Sequence, residues 1–513
     1  MSHARGGPEA QPCLDRVRVS MLFCRPPMNV LLLRPAPLNE RFGLAPFFRT
    51  EPLGLEYVAA ALEARGHRTT AVDQRFGGSV ERWLARVRPG VVGVTCMHSV
   101  EIDEALEIVR RVRRAAPGVF LLLGGHAAAA FPAPLQCPEV DAICVGDGER
   151  VAPDLVDALA RGGSARDVPG LLVNAGGHDG FIATPEAEPV SLDAVPLPAR
   201  HALATGHRHY SCLQFRPVWV VETARGCPFR CSFCSVWSLY HRSFRFRAID
   251  AVCRDFASVG PHIFIVDDLF WHGTERSLEL AHELVRRGVR KEWIVVQSRT
   301  DLVASHPELL EAWRPFSALF DIFFGLEAAT NANLDRLDKD TSVEQTLEGI
   351  RMAREYGFGV TGNFVIDPDW DEDDFRRLWA FVEEHRLHRA GYTIHTPLPG
   401  TPYYESVRHR IRAPKWTQYD MNHLLWEPKL GPQRFFELYC ETWRRSVLNL
   451  RGSKPWWKWI REVKPRHFTF LVRALARTQR LMDPGYYLSE HCLLPADATA
   501  ATAAPQSGLA NQA

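Results

Sequence analysis

Val218-Trp219-Val220-Val221-Glu222-Thr223-Ala224-Arg225-Gly226-Cys227-Pro228-Phe229-Arg230-Cys231-Ser232-Phe233-Cys234 runs from an apolar strand candidate, Val218–Thr223, into three closely spaced cysteines. The spacing is C-x3-C-x2-C. Three thiolates on one loop suit three corners of an iron–sulfur cube, because thiolates are the usual protein ligands of such clusters. A fourth local cysteine is missing, which leaves one iron open to bind something else. A zinc knuckle is the competing reading, but structural zinc wants four closed ligands, and only His241 or Cys212 could complete the set.

Downstream, short apolar runs continue to alternate with helical patterns. The further strand candidates are Ile263–Val266, Ile294–Ser298, Ile322–Leu326, Val360–Ile366 and Gly391–His395. Six such units predict an open, partial (β/α)6 barrel over 215–410 with its chemistry on the carboxyl-end loops. Charged residues fall at those strand ends: Asp267-Asp268, Arg299 in Gln297–Asp301, Glu327 in Gly325–Ala328, then Leu337-Asp338-Lys339-Asp340-Thr341.

Upstream, a separate α/β unit is expected over 28–160. Its strand candidates are Asn29–Leu33, Thr69–Val72, Val91–Thr95, Val119–Leu123 and Ala142–Val145, with helical stretches such as Leu55–Arg65 and Ile102–Ala115 between them. Wholly apolar strands alternating with helices mean a parallel sheet covered on both faces, hence a doubly wound domain. Such a domain binds ligand at the carboxyl ends of its strands. Gly124-Gly125 and Gly146-Asp147-Gly148-Glu149 stand at those ends, where glycine permits close backbone approach or simply serves a strand-to-helix turn. No G-x-G-x-x-G or G-x-x-x-x-G-K-[ST] sequence occurs in the domain, which weakens nicotinamide and nucleoside-triphosphate readings.

The remaining divisions follow from composition. Residues 1–27 read as a flexible extension, 161–214 as a linker with room for one hairpin, 411–493 as an aromatic-rich helical region and 494–513 as a disordered tail. The 513 residues carry Lys+Arg 61 against Asp+Glu 60, a net charge of +1, which argues against a broad nucleic-acid surface. Twelve cysteines are too sparse for a disulfide scaffold. With no signal sequence and no long apolar span, a cytoplasmic protein is expected.

The cysteine spacing, with aromatic Phe233 before the third cysteine, resembles the radical S-adenosylmethionine superfamily. That resemblance implies a [4Fe-4S] cluster on Cys227, Cys231 and Cys234, whose open iron is chelated by S-adenosylmethionine. It also implies Phe233, Arg299 and Glu327 as cofactor contacts. The fifth strand departs from the pattern, reading Asn363-Phe364-Val365-Ile366-Asp367-Pro368-Asp369-Trp370 where many relatives have a second glycine and Glu-Thr.

A doubly wound domain ahead of such a barrel resembles the cobalamin-binding class of the superfamily. This implies cobalamin, as methylcobalamin, with Thr95, Gly124, Gly125, Gly146 and Glu149 as binding positions. The D-x-H-x-x-G sequence that supplies a histidine beneath cobalt is absent, and His126 reads as a loop residue. From about 28 to 491 the chain resembles bacterial hopanoid C-3 methylases, on Phe48–Glu56, Asp267–Trp271, Asn363–Phe375 and Asn422–Pro428. A hopanoid lipid substrate and a reducing partner such as flavodoxin or ferredoxin are what that likeness implies. An oxidative porphyrin-ring cyclase or a methylase of another substrate remains the neighbouring alternative. A metal-binding module without activity is the alternative from another class.

Lys454-Pro455-Trp456-Trp457-Lys458-Trp459-Ile460-Arg461 interleaves tryptophans with cations. Peripheral contact with an anionic inner-membrane surface and a helical cap with buried tryptophans both account for it.

Overall fold

The computed structural model describes residues 26–36, 48–176, 180–387, 389–447, 476, 480 and 482–494. Most of the 1–27 extension, the tail beyond residue 494 and Trp456, Trp457 and Trp459 with their neighbouring cations, Arg480 excepted, lie outside those residues.

The strands of the first half are β1 (Asn29–Arg34), the two-residue β2 (Phe48–Arg49), β3 (Arg68–Asp73), β4 (Val91–Thr95), β5 (Phe120–Gly124), β6 (Ala142–Cys144), β7 (Leu171–Asn174) and β8 (Phe181–Ala183). All but β2 join one sheet in the order β3-β1-β4-β5-β6-β7-β8. The first five are parallel, and their sequences explain why: every residue of β4 is buried, as are the middle four of β1. A strand buried on both faces has to be covered by crossover helices. Here the crossovers carry Leu53–Ala64, Val80–Val87, Ile102–Ala115 and the short His126–Ala130, and Gly148–Ala160, which leads to the antiparallel β7, adds to the cover. The order reverses between β1 and β4, so a crevice opens at the carboxyl ends of those two strands.

β7 and β8 add to this sheet as an antiparallel hairpin beside β6. The hairpin expected within 161–214 is therefore part of the first sheet. Its Leu171 and Val173 fill a core with Leu155 and Ala158 of the preceding helix. The rest of that segment returns over the sheet, where β9 (Ser211–Cys212) pairs with β2.

The second half contains β10 (Trp219–Val221), β11 (Ala224–Gly226), β12 (Phe244–Phe246), β13 (His262–Ile265), β14 (Lys291–Ser298), β15 (Ser317–Glu327), β16 (Gly359–Ile366) and β17 (Ala390–Ile394). β10-β13-β14-β15-β16-β17 form a six-stranded parallel sheet in chain order, and β10 does not pair with β17 among the described residues. This is the open partial barrel. Its first strand is shorter than Val218–Thr223 because Thr223 turns aside: its N–H and hydroxyl both donate to Asp267, at 2.6 and 2.5 Å. The chain then enters β11, which forms a hairpin with β12 around the cysteine loop.

Both open edges of the barrel are covered. On the outer side of β10, Val220 N–H donates to Glu51 Oε1 at 2.6 Å, and Arg200 Nη2 donates to Val220 O at 2.8 Å. At β17, the helix Pro432–Val447 packs Trp443 edge-on to Tyr392, and Tyr439 donates its hydroxyl to Tyr392 O at 3.0 Å. Phe435, Phe436, Tyr439, Trp443 and Tyr487 belong to the same core as the barrel strands. The described part of the C-terminal helical region is thus a wall of the barrel. Among the described residues, no helix is long and apolar enough to cross a membrane.

Candidate functional site

Gly226 enters the cysteine loop with φ of 101°, a backbone that only glycine adopts without strain. Its N–H donates to Asp268 at the end of β13, at 2.9 Å. Cys231 is buried, while Cys227 and Cys234 are half-buried at the barrel mouth. All three are free thiols. Burial pushes the Cys234 thiol up to about 12, with the other two thiols adding to the shift. Burial also raises Cys231, against the opposing pull of Lys339 and Arg299. The thiols lie close enough to raise one another, and a bound cation would stabilise their thiolates. Neither residue that could have closed a zinc site joins them as a fourth ligand: Cys212 packs with Val218, Trp293 and Val295, and His241 is exposed.

Two strand ends meet the loop. A register shift between Gly325 and Glu327 leaves Leu326 without a ladder partner, and Glu327, paired with Phe364, takes φ of 58°. Glu327 accepts from Lys339 Nζ at 2.9 Å, and both side chains are about nine-tenths buried. Arg299, after β14, lies over the Phe229 ring at 3.7 Å. It donates to Asp301 and to Asp340 O, while its Nη1 is buried with no hydrogen-bond partner. That orphaned donor beside the thiols fits the carboxylate of S-adenosylmethionine. Phe233 meets the ring of His395 edge-on at 6.2 Å, and His395 stacks on Tyr403 at 3.7 Å. Nothing in the sequence around Lys339 points to this pairing. Its partner is fixed only by the fold.

The positions expected around cobalamin separate into two groups. Thr95, Gly124 and Gly125 lie at the crevice side of the first sheet, and Gly125 has φ of 105°. A Cβ on Gly125 would come within 2.7 Å of Cys96 O, so this glycine permits close packing of the β4 and β5 ends. At Gly124 it would meet Cys144 at an ordinary 3.5 Å, and at Gly146 it would meet Val151 and Ala187 at 3.1 and 3.2 Å. Both directions meet protein side chains.

Glu149 and Asp147 pair with arginines of the β11–β12 hairpin. Glu149 Oε1 accepts from Arg225 Nη2 at 2.8 Å, and Asp147 Oδ2 accepts from Arg245 Nη1 at 2.6 Å. Burial opposes ionisation of Asp147, but Arg245 and Arg225 hold it below the usual carboxylate range. The Gly-Asp-Gly-Glu run therefore binds the β11–β12 hairpin.

Between the carboxyl ends of the two sheets lies a chamber of about 430 Å³. The first sheet contributes Arg34, Met97, His98, Glu101, His126 and Phe131. The barrel side contributes Ser235, Asn363, Tyr392, Thr393, Leu398 and Trp443. Most of these were not predicted, because loops far apart in sequence bring them together. The chamber occupies the crevice where the strand order reverses and opens beside the cysteine loop. Its largely apolar lining and its place at the strand-order reversal fit part of a corrin. A more open hollow between Ile249–Ser258 and Thr274–Arg286 is lined largely by paired surface charges such as Asp250, Glu283 and Arg287.

The family descriptions "Radical SAM superfamily" and "B12 binding domain" match residues 221–382 and 45–156. The chain is 28% identical over 477 residues to the hopanoid C-3 methylase of Methylococcus capsulatus, covering 90% of this chain and 89% of that protein. It is 27% identical over 401 residues to the anaerobic magnesium-protoporphyrin IX monomethyl ester cyclase of Cereibacter sphaeroides, covering 74% and 64%. Among solved structures, OxsB, a cobalamin-dependent S-adenosylmethionine radical enzyme with aqua-cobalamin and S-adenosylmethionine bound, superposes with a TM-score of 0.67 at 16% identity, covering 89% of this chain and 72% of that one. The radical S-adenosylmethionine methyltransferase TsrM from Kitasatospora setae gives 0.62 at 17%, covering 81% and 88%. At these identities, the two structures establish the shared fold.

Proposed function

We propose, from the premise that this chain belongs to the cobalamin-binding radical S-adenosylmethionine superfamily, that it methylates an unactivated carbon of a hopanoid lipid, C-3 of ring A. The observation that carries this reading is the chamber, which places residues of both sheets around one largely apolar space. Similarity to a hopanoid C-3 methylase along nine-tenths of the chain supports the substrate.

When bound, the cofactors supply reductive cleavage of S-adenosylmethionine at a [4Fe-4S] cluster and a methyl group from methylcobalamin. The protein supplies position and enclosure. Cys227, Cys231 and Cys234 hold the cluster. Arg299 Nη1 and the Glu327–Lys339 pair hold the polar groups of S-adenosylmethionine. Tyr392, Leu398 and Trp443 present an apolar wall to the substrate and keep water from the reacting carbon. No general base is assigned, since hydrogen-atom removal does not need one. The electron comes from a low-potential partner such as flavodoxin or ferredoxin. The tryptophan and cation segment around Trp456 brings the enzyme to the membrane that contains its substrate.

The test uses the full chain, reconstituted without oxygen and given S-adenosylmethionine, methylcobalamin, a reductant and hopanoid in vesicles. The expected product is heavier by one methylene and accompanied by 5′-deoxyadenosine. Ring closure of a porphyrin ester without a methylated hopanoid would favour the cyclase reading, which the likeness to a protoporphyrin ester cyclase makes the natural second candidate.

A further inference from the structure

The three cysteines are bracketed by contacts to the first sheet. Arg225, two residues before Cys227, reaches Glu149 after β6. Ser235, the residue after Cys234, has its Oγ 2.8 Å from His126 Nε2 after β5. His126 and Ser235 both line the chamber.

The His126 side of this contact is built rigidly. Gly125 turns the chain at φ of 105°, and the N–H groups of Ala127 and Ala128 both donate to Cys96 O, at 3.1 and 3.3 Å. The short helix that His126 opens is thereby fastened to the end of β4. The His126 ring also meets Tyr240 edge-on at 6.5 Å, and Arg245, which binds Asp147, lies over the Tyr240 ring at 5.5 Å. The Ser235 side is tied into the cysteine loop, where Trp237 Nε1 donates to Cys231 O at 2.9 Å. A displacement of His126 is therefore transmitted to the cysteine loop through one short bond.

We propose that the His126–Ser235 hydrogen bond is a positioning contact that sets the separation and orientation of the cluster relative to the cobalamin crevice. It governs how much S-adenosylmethionine cleavage ends in methyl transfer. This inference rests on the functional reading above and assigns His126 no bond to cobalt. The three cysteines that hold the cluster are untouched by loss of the contact, so the cluster stays in place while its alignment with the crevice is lost.

The experiment compares His126→Ala, Ser235→Ala, the double variant and His126→Gln in the full reconstituted chain. Iron content should match the wild type, and product ratios are compared per bound corrinoid. The ratio of 5′-deoxyadenosine to methylated product should rise about fivefold in each single variant, the factor one ordinary hydrogen bond supports. The double variant should be no worse than the poorer single, because both remove the same bond. His126→Gln, which can still bond Ser235, should recover most of the coupling. A second readout is the magnetic interaction between the reduced cluster and paramagnetic cobalt, measured by electron paramagnetic resonance. It should broaden in the Ala variants and stay narrow in His126→Gln. If His126→Ala fails to fold, Ser235→Ala, which deletes a single oxygen, decides alone. An unchanged product ratio with an unchanged magnetic interaction would overturn the inference. Absence of cluster or corrinoid from the wild type would instead overturn the functional reading.

Discussion

Arg225 and Glu149 stand 2.8 Å apart across the boundary between the two sheets, both about nine-tenths buried. Arg225 also meets Asp147 and Glu222, so one guanidinium is shared by three carboxylates beside the cysteine loop, with Arg245 as a second partner of Asp147. Removing it leaves buried charges uncompensated. Arg225→Ala is expected to destabilise the chain by about 3–5 kcal/mol, and Glu149→Gln, which keeps the shape, by about 1–3 kcal/mol. Urea unfolding of the two variants measures this.

The thiols give the sharpest contrast. Replacing any of Cys227, Cys231 or Cys234 by Ala should abolish the cluster and the formation of 5′-deoxyadenosine. Cys253→Ala and Cys440→Ala, whose side chains are buried in the barrel core, should keep their iron. Iron content and the 5′-deoxyadenosine assay separate the two sets. A triple variant that retained iron and activity would refute the assignment.

Gly125 and Gly124 differ in what a methyl group would meet. Gly125→Ala should cost about 1–3 kcal/mol and weaken corrinoid retention, since it strains the backbone and crowds Cys96 O. Gly124→Ala should stay within about 0.5 kcal/mol of the wild type. Thermal unfolding and bound-corrinoid absorbance check both.

Arg299 should matter to S-adenosylmethionine rather than to the cluster. Arg299→Lys preserves charge but loses the planar fork that bonds Asp301 and Asp340 O while leaving Nη1 free. Affinity for S-adenosylmethionine, measured calorimetrically, should fall about tenfold, the worth of one charge-assisted hydrogen bond, while iron content stays unchanged.

A buried cluster predicts alkaline sensitivity. His207 Nε2 lies 2.8 Å from Glu51 and 3.4 Å from Glu56, with Arg200, itself paired to Asp255, alongside. Burial pushes Glu56 up to about 7. For His207, burial works the other way, but Glu51 and Glu56 outweigh it and raise the imidazole to about 9. Both groups bind protons more tightly when folded. Their contribution is complete below the ordinary values of 4.5 and 6.5 and is lost as pH rises through about 7 and then about 9. The melting temperature should fall from pH 7 to 9.5, and His207→Gln should flatten the upper part of that fall.

Much of this fold is legible in the sequence because its strands are buried on both faces and so appear as uninterrupted apolar runs. The cysteine spacing identifies its loop for the same local reason. Strand-end residues such as Glu149 and Gly146 look alike in sequence whether they face a ligand or a neighbouring domain. Nothing local reveals that Arg225 lies across from Glu149. Lys339, Met97 and His98 carry no motif, and they reach the site through loop geometry alone. The helix Pro432–Val447 is amphipathic in sequence, but its partner, β17, is visible only in the fold.

The paired outer edge of β10 has a consequence for biogenesis. An exposed strand edge invites pairing with other chains. Here the groups that occupy it, Glu51 and Arg200, precede β10 in the chain and leave the ribosome before it. The nascent barrel therefore starts with its vulnerable side already guarded, provided the first domain folds as a unit during synthesis. A fragment beginning near residue 215 lacks both guards and should self-associate, so the order of the two halves along the chain is itself a safeguard against aggregation.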